Sequence, residues 1–121
     1  MDGFVLVIDD EEPIREAICD ILETVNIQCL LASNGESGIQ TYVERSDEIR
    51  LVLLDLSMPG MSGEETLLRL VKADPAVRVV LSSGYSESEV AERIEPSIVC
   101  GFLQKPYQLR KLIEVVTEHI G

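Results

Sequence analysis

Tryptophan is absent from this sequence, and two phenylalanines and three tyrosines are its only aromatics in 121 residues. Val, Ile and Leu must therefore fill any core, and a hydrophobic fraction of 45% supplies them in the proportion usual for a globular domain. Basic residues are also few: 10 Lys and Arg stand against 22 Asp and Glu, a formal net charge of −12. Such a surface is unsuited to direct nucleic-acid contact, which needs clustered cations. It suits solvated helix faces, a divalent cation or a basic partner. Cysteine is confined to Cys19, Cys29 and Cys100, an odd number without metal-ligand spacing, each set among apolar neighbours. These read as buried, reduced thiols of a cytoplasmic protein. No signal-peptide pattern opens the chain, and no apolar run is long enough to span a bilayer. Repeats, low-complexity segments and linkers are lacking too, so residues 1–121 are expected to form a single domain.

What is present alternates. Phe4-Val5-Leu6-Val7-Ile8 is a short continuous apolar run, as in a strand buried on both faces. Asp9-Asp10-Glu11-Glu12-Pro13 breaks it, and Pro13 fits the first turn of a helix. Ile14, Ala17, Ile18, Ile21, Leu22 and Val25 recur at helical spacing. A second strand is predicted from Ile27 to Ala32 and a weaker helix from Gly35 to Arg45. Leu51 to Leu54 reads as a third strand ending on Asp55, and the Pro and Gly of residues 58–63 predict a loop. Ser62 and Glu65 have capping-box spacing ahead of a third helix. Val77 to Leu81 predicts a fourth strand, running into Ser82-Ser83-Gly84. Ser86 and Glu89 cap a short helix through Ile94, which Pro96 closes. Ile98 to Leu103 predicts a fifth strand, and Leu109, Leu112, Ile113 and Val116 a last helix. Five buried strands alternating with five helices imply an α/β domain: a doubly wound parallel sheet between two helical layers.

In open sheets of this kind, ligands bind beyond the carboxyl ends of the strands. There the first strand ends in Asp9-Asp10, the third in Asp55, the fourth in Ser82-Ser83, and the fifth leads to Lys105-Pro106. Three carboxylates brought together repel one another unless a cation sits among them. A hard oxygen-ligand set of this kind suits Mg²⁺.

These segments, Ile8-Asp9-Asp10-Glu11, Leu53 to Gly60 around Asp55, Leu81-Ser82-Ser83-Gly84 and Lys105-Pro106-Tyr107, resemble the receiver domains of two-component response regulators over essentially the whole chain. The resemblance rests on four pieces in the right order at the right strand ends. It implies a flavodoxin-like sheet of order 2-1-3-4-5, with Asp9, Asp10 and Asp55 facing one cavity. Asp55 would be the phosphoacceptor, taking a phosphoryl group from a phosphohistidine. Asp10, Asp55 and the backbone carbonyl of Ser57 would bind Mg²⁺ (or Mn²⁺), with Asp9 beside them. Lys105 would pair with the phosphoryl oxygens, Ser83 would donate its hydroxyl to them, and Phe102 would be the aromatic switch. The family's Lys-Pro bond is usually cis. Implied partners are a sensor histidine kinase or a histidine phosphotransfer protein. The face of the fourth helix, fifth strand and fifth helix would be the output surface and a candidate homodimer surface.

The sequence departs from the commoner pattern at a few points. Ser83 stands for Thr, Gly84 for Ala, Phe102 for Tyr, and Gln108 for a capping residue. None removes a chemical group that the transfer needs. Ser83-Gly84-Tyr85 and Phe102 to Pro106 look more like receivers attached to sensor kinases than like DNA-binding regulators. No output domain follows Gly121, so the chain is read as a stand-alone regulator or a piece of a longer protein. Singly, each residue has a plainer reading. The Asp9-Asp10 pair suits a helix dipole, Ser83 a loop cap, Lys105 a surface, Phe102 a core edge and His119 a solvated helix face. Two alternatives compete: a receiver-like interaction module that is never phosphorylated, and an aspartate-nucleophile phosphatase. The first usually lacks an acid or the lysine. The second usually carries an acid two residues after the nucleophile, where Ser57 stands.

Overall fold

The computed structural model of the chain describes residues 3–57 and 62–120. Most of the loop expected over 58–63 lies outside them. Five strands are present: β1 (Phe4–Ile8), β2 (Gln28–Ala32), β3 (Ile49–Asp55), β4 (Val79–Ser83) and β5 (Gly101–Gln104). They pair entirely in parallel in the order β2-β1-β3-β4-β5, as the resemblance implied. Helices α1 (Glu12–Glu23), α2 (Gly35–Arg45), α3 (Gly63–Ala73), α4 (Glu87–Ala91) and α5 (Leu109–Ile120) cross between them.

The strands are mostly apolar through their middles because each face of the sheet is covered. Leu6, Ile8, Val52, Leu54, Val79 and Leu81 point to one core, shared with Leu67 and Leu70 of α3 and Val90 of α4. Their sequence neighbours Val5, Val7, Leu51, Leu53 and Val80 point to the other, shared with Ile18 and Leu22 of α1 and Leu112 and Val116 of α5. A period of two thus splits one apolar run between two cores. Burying a Leu or Val side chain contributes roughly 1.5–3 kcal/mol, so the central strands β1 and β3 anchor the domain.

Local chemistry sets the boundaries. Ser62 accepts from the Glu65 N–H at 3.1 Å, so the first half of the expected cap holds α3. At α4 both halves form: Ser86 Oγ accepts from Glu89 N–H, and the Glu89 carboxylate accepts from Ser86 N–H. Helix α4 is shorter than predicted, ending at Ala91, because Glu92 to Ile94 continue only as a turn. Pro96 opens a 3₁₀ turn (Pro96–Ile98) rather than closing the helix, since its fixed φ suits a first turn. That turn displaces the start of β5 from Ile98 to Gly101. Strand β4 begins at Val79 and includes both Ser82 and Ser83, two residues later than its apolar run suggested.

Two other expectations are corrected. The three cysteines are only partly buried. His119 is not a freely solvated residue: its imidazole lies over Gly101, where an added Cβ would come within 3.0 Å of Nε2.

Candidate functional site

The register of β1 on β3 builds the site. Ile8 pairs with Leu54, so the next residues, Asp9 and Asp55, leave the sheet side by side. Asp9 N–H still donates to the Ala32 carbonyl at 3.1 Å, and Leu56 N–H to the Ser82 carbonyl at 2.9 Å. The backbone that aims both carboxylates is therefore an extension of the sheet. Just past β5, Lys105 N–H donates to the Ser83 carbonyl at 2.7 Å, which fixes the corner before α5. The Lys105-Pro106 bond is cis.

One carboxylate oxygen from each of Asp9, Asp10 and Asp55 lies within 4.8 Å of the others. Asp9 and Asp55 are buried and Asp10 is exposed. Lys105 Nζ stands 3.2 Å from Asp9 Oδ2 and 3.4 Å from Asp55 Oδ2. The remaining oxygens of the buried pair each take a backbone donor. Asp9 Oδ1 accepts from Glu11 N–H at 2.9 Å, and Asp55 Oδ1 from Ser57 N–H at 3.0 Å.

The electrostatics follow from this packing. Burial pushes the Asp55 carboxyl above its ordinary value, with the Ser57 N–H and Lys105 opposing and Asp9 reinforcing. Burial pulls Lys105 down, but the two carboxylates outweigh it and hold the ammonium above its usual value. One lysine thus faces three acids, a deficit of positive charge that a divalent cation would make good. Asp10, exposed and outside the Lys105 pairing, is the acid best placed to contribute.

The other predicted residues surround this centre. Ser83 is buried at the end of β4, and its Oγ accepts from Tyr85 N–H at 3.0 Å, leaving the hydroxyl proton to donate elsewhere. Ser57 is exposed two residues after Asp55. Phe102 is half-buried and lines a groove with Leu81, Val90, Ile94 and Val99.

The contacts of two further residues were not read from the sequence. Arg15 Nη1 donates to the Asp9 carbonyl at 2.8 Å, tying α1 to the acidic turn. Its signal was present: a cation in the first turns of an otherwise acidic helix opposes the helix dipole and needs a partner. Tyr107 packs beside Ser82. Both hydroxyls are buried without a hydrogen-bond partner among the described residues, although Ser82 is near enough to oppose the rise that burial gives the phenol's pKa.

Comparison with known proteins agrees with this architecture. The sequence model of the response regulator receiver domain matches residues 5–117, and the chain belongs to that family. It is 30% identical over 114 residues to the sensor kinase CckA of Brucella abortus, covering 94% of this chain and 12% of the kinase. It is 27% identical over 121 residues to the sporulation initiation phosphotransferase F of Bacillus subtilis, covering 99% of this chain and 95% of that protein. A response regulator receiver domain protein from Clostridium thermocellum superposes with a TM-score of 0.88 at 28% identity, over 98% of this chain and 94% of its own. The chain is therefore a receiver domain of two-component signalling, a family that works with histidine kinases or phosphotransfer proteins. Among the described residues, no helix is long and apolar enough to cross a membrane.

Proposed function

We propose that Asp55 accepts a phosphoryl group from a phosphohistidine on a kinase or phosphotransfer partner, with Mg²⁺ bound at Asp10, Asp55 and the Ser57 carbonyl, and Asp9 beside them. The observation that carries this reading is the convergence of Asp9, Asp10, Asp55 and Lys105 at one end of the sheet. The bound cation would supply positive charge against the carboxylates and the incoming phosphoryl oxygens. Lys105 supplies a second positive charge, already within ion-pair distance of the acceptor. Phosphoryl transfer is governed by such positioning and neutralisation. The Ser57 N–H holds one Asp55 oxygen in place, which leaves Oδ2, on the Lys105 side, as the attacking atom. The domain accepts and loses the group itself; any kinase activity belongs to the partner.

The face beside Lys105 supports a protein donor. Ile14, Ala17, Ile18 and Ile21 of α1 line one apolar groove with Pro106 and Tyr107. That groove opens next to the acceptor, where a partner helix carrying the phosphohistidine would bury it.

Once Asp55 carries the phosphoryl group, its single carboxylate charge becomes about two, spread over phosphoryl oxygens that need donors. The Ser83 hydroxyl can answer them if its loop moves, and Gly84 beside it has open space. Phe102 would then turn further into its groove. The neighbouring α4 has only five residues and is cheap to shift. The changed surface is α4, β5 and α5, which is also the proposed site of self-association.

The test is amide NMR of the chain with Mg²⁺ and beryllofluoride, against an Asp55→Asn control. Large shifts at Asp55, Ser83 and Phe102 in the parent alone are expected. Shifts confined to Asp9, Asp10 and Asp55 would reduce the function to metal binding. No response in the presence of Mg²⁺ would leave an interaction module that is not phosphorylated.

A further inference from the structure

Each polar group of Asp9 has a partner. Its N–H donates to the Ala32 carbonyl at 3.1 Å, and its carbonyl accepts from Arg15 Nη1 at 2.8 Å. Its Oδ1 accepts from Glu11 N–H at 2.9 Å, and its Oδ2 from Lys105 Nζ at 3.2 Å. The end of β2, the turn itself, α1 and the segment after β5 thus converge on one residue. Asp10, next in the chain, is the reverse. It is exposed, and among the described residues no donor is bonded to its carboxylate.

The Asp10 carboxylate nevertheless lies with those of Asp9 and Asp55, one oxygen from each within 4.8 Å of the others. Among the described residues, only its backbone holds it there. The Asp9 carbonyl and the Asp10 N–H belong to one planar peptide unit, so whatever fixes that carbonyl fixes the plane from which Asp10 departs. Arg15 is the residue that fixes it. Its own backbone N–H donates to the Glu11 carbonyl at 3.0 Å, which seats it in the first turn of α1. Its half-buried side chain then reaches back to the acidic turn. A guanidinium donates from a rigid planar fork, which suits it to hold one orientation.

We propose that Arg15 is a positioning residue for the cation site: by donating to the Asp9 carbonyl it orients the Asp9-Asp10 peptide and keeps the Asp10 carboxylate beside Asp55. This rests on the Mg²⁺ reading given above. Asp9 is then the pivot of the turn, and Asp10 the acid left to ligate. Charge alone acts in the opposite direction. A guanidinium this close to the acids repels a divalent cation, so its removal would by charge alone tighten Mg²⁺ binding. Positioning weakens binding instead, because an unheld peptide lets Asp10 swing toward solvent, away from acids that repel it. Groups that orient metal ligands set affinity by about 10- to 100-fold, more than one partly solvated charge supplies. Positioning is therefore the larger effect.

The experiment titrates the whole chain with Mg²⁺ by amide NMR, in the parent, Arg15→Met and Arg15→Lys, with metal-free melting curves beside it. Met keeps the bulk and loses both donor and charge. Its Mg²⁺ affinity is expected to be about tenfold weaker. Its metal-free melting temperature should fall by about 4 °C, as for one ordinary hydrogen bond. At saturating Mg²⁺, beryllofluoride should still shift Asp55 and Ser83 in this variant, because the acceptor is intact. Lys keeps the charge and a donor without the planar fork, so its affinity should fall between the other two. It carries the test alone if Arg15→Met does not fold. Arg15→Met binding Mg²⁺ as tightly as the parent, or more tightly, would overturn the proposal whatever its melting temperature, and leave Arg15 a structural tie between α1 and the turn. So would a Lys variant at least as tight as the parent. A parent without any Mg²⁺ response overturns the metal reading itself, and this inference with it.

Discussion

Asp55 occupies a place that resists its own ionisation, and this gives its charge a measurable cost. Burial raises its folded pKa, and Asp9 adds to the rise. A carboxyl whose pKa is higher folded than unfolded favours the folded state below the ordinary carboxyl range. It loses that favour as pH rises through the raised value. At neutral pH and without metal, Asp55→Asn should therefore melt higher than the parent, by about 4 °C for roughly 1 kcal/mol in a domain of this size. The advantage should vanish as the pH is lowered into the range where Asp55 protonates in both states. Thermal melts at pH 7 and pH 4 check this, and equal melting points at pH 7 would contradict it. Lys105 has the opposite sign. Its pKa is raised, so the pairing is kept through neutral pH up to the usual lysine range and is lost as pH rises through the raised value; on the acid side it weakens where Asp55 protonates. Lys105→Met leaves Asp9 and Asp55 buried without their cation. After discount for a side chain that is 26% exposed, the expected loss is about 2 kcal/mol in metal-free urea unfolding. That loss should shrink when Mg²⁺ is present.

At the scale of elements, stability is distributed unevenly, and the shortest helix lies beside the proposed switch. Helix α4 has five residues and depends on its capping box. Ser86→Ala removes the half of that box in which Ser86 Oγ accepts from Glu89 N–H, and should cost about 1 kcal/mol. Amide exchange should quicken across Glu87–Ala91 while β1 and β3 stay protected. Helix α3 starts differently. An added Cβ at Gly63 would come within 2.4 Å of the Leu56 Cα and 2.8 Å of the Asp55 carbonyl, both backbone atoms. Gly63→Ala must therefore push α3 off the end of β3, with a loss of about 2 kcal/mol or more and weaker Mg²⁺ binding at Asp55. Equilibrium unfolding with and without Mg²⁺ measures both effects. The sequence displayed this division well where the physics is local or periodic. Buried runs located β1 and β3 and put Asp9 and Asp55 at their ends, and the spacing Ser86 to Glu89 announced the cap. It failed where two signals compete. Pro96 serves equally as a helix stop or a turn start, and only packing against β5 decides. The apolar residues before Gly101 resemble a strand but fill the groove beneath α4 instead. The sequence also could not show that Arg15 reaches the Asp9 carbonyl, because that contact depends on how α1 lies on the sheet.

For the molecule as a whole, the net charge of −12 and the acid cluster act together. A strongly acidic chain carries self-repulsion in its compact state, concentrated where Asp9, Asp10 and Asp55 converge. A cation that binds the folded form and not the unfolded chain stabilises by mass action, about 2.7 kcal/mol at a hundredfold excess over its dissociation constant. Millimolar Mg²⁺ should therefore raise the melting temperature in a saturable way, beyond the general screening that an equal ionic strength of NaCl provides. Asp10→Asn separates the two contributions. It removes one of three mutually repelling carboxylates without disturbing the Lys105 pair, so its metal-free melting temperature should equal or exceed that of the parent. Its Mg²⁺-specific increment should nevertheless be lost, because the exposed member of the cluster supplies ligand charge rather than structure. Melting curves of parent and variant in NaCl and in MgCl₂ at matched ionic strength decide the matter. A parent that responds equally to the two salts has no cation site. A variant that keeps the full Mg²⁺ increment would move the ligand role from Asp10 to the buried pair.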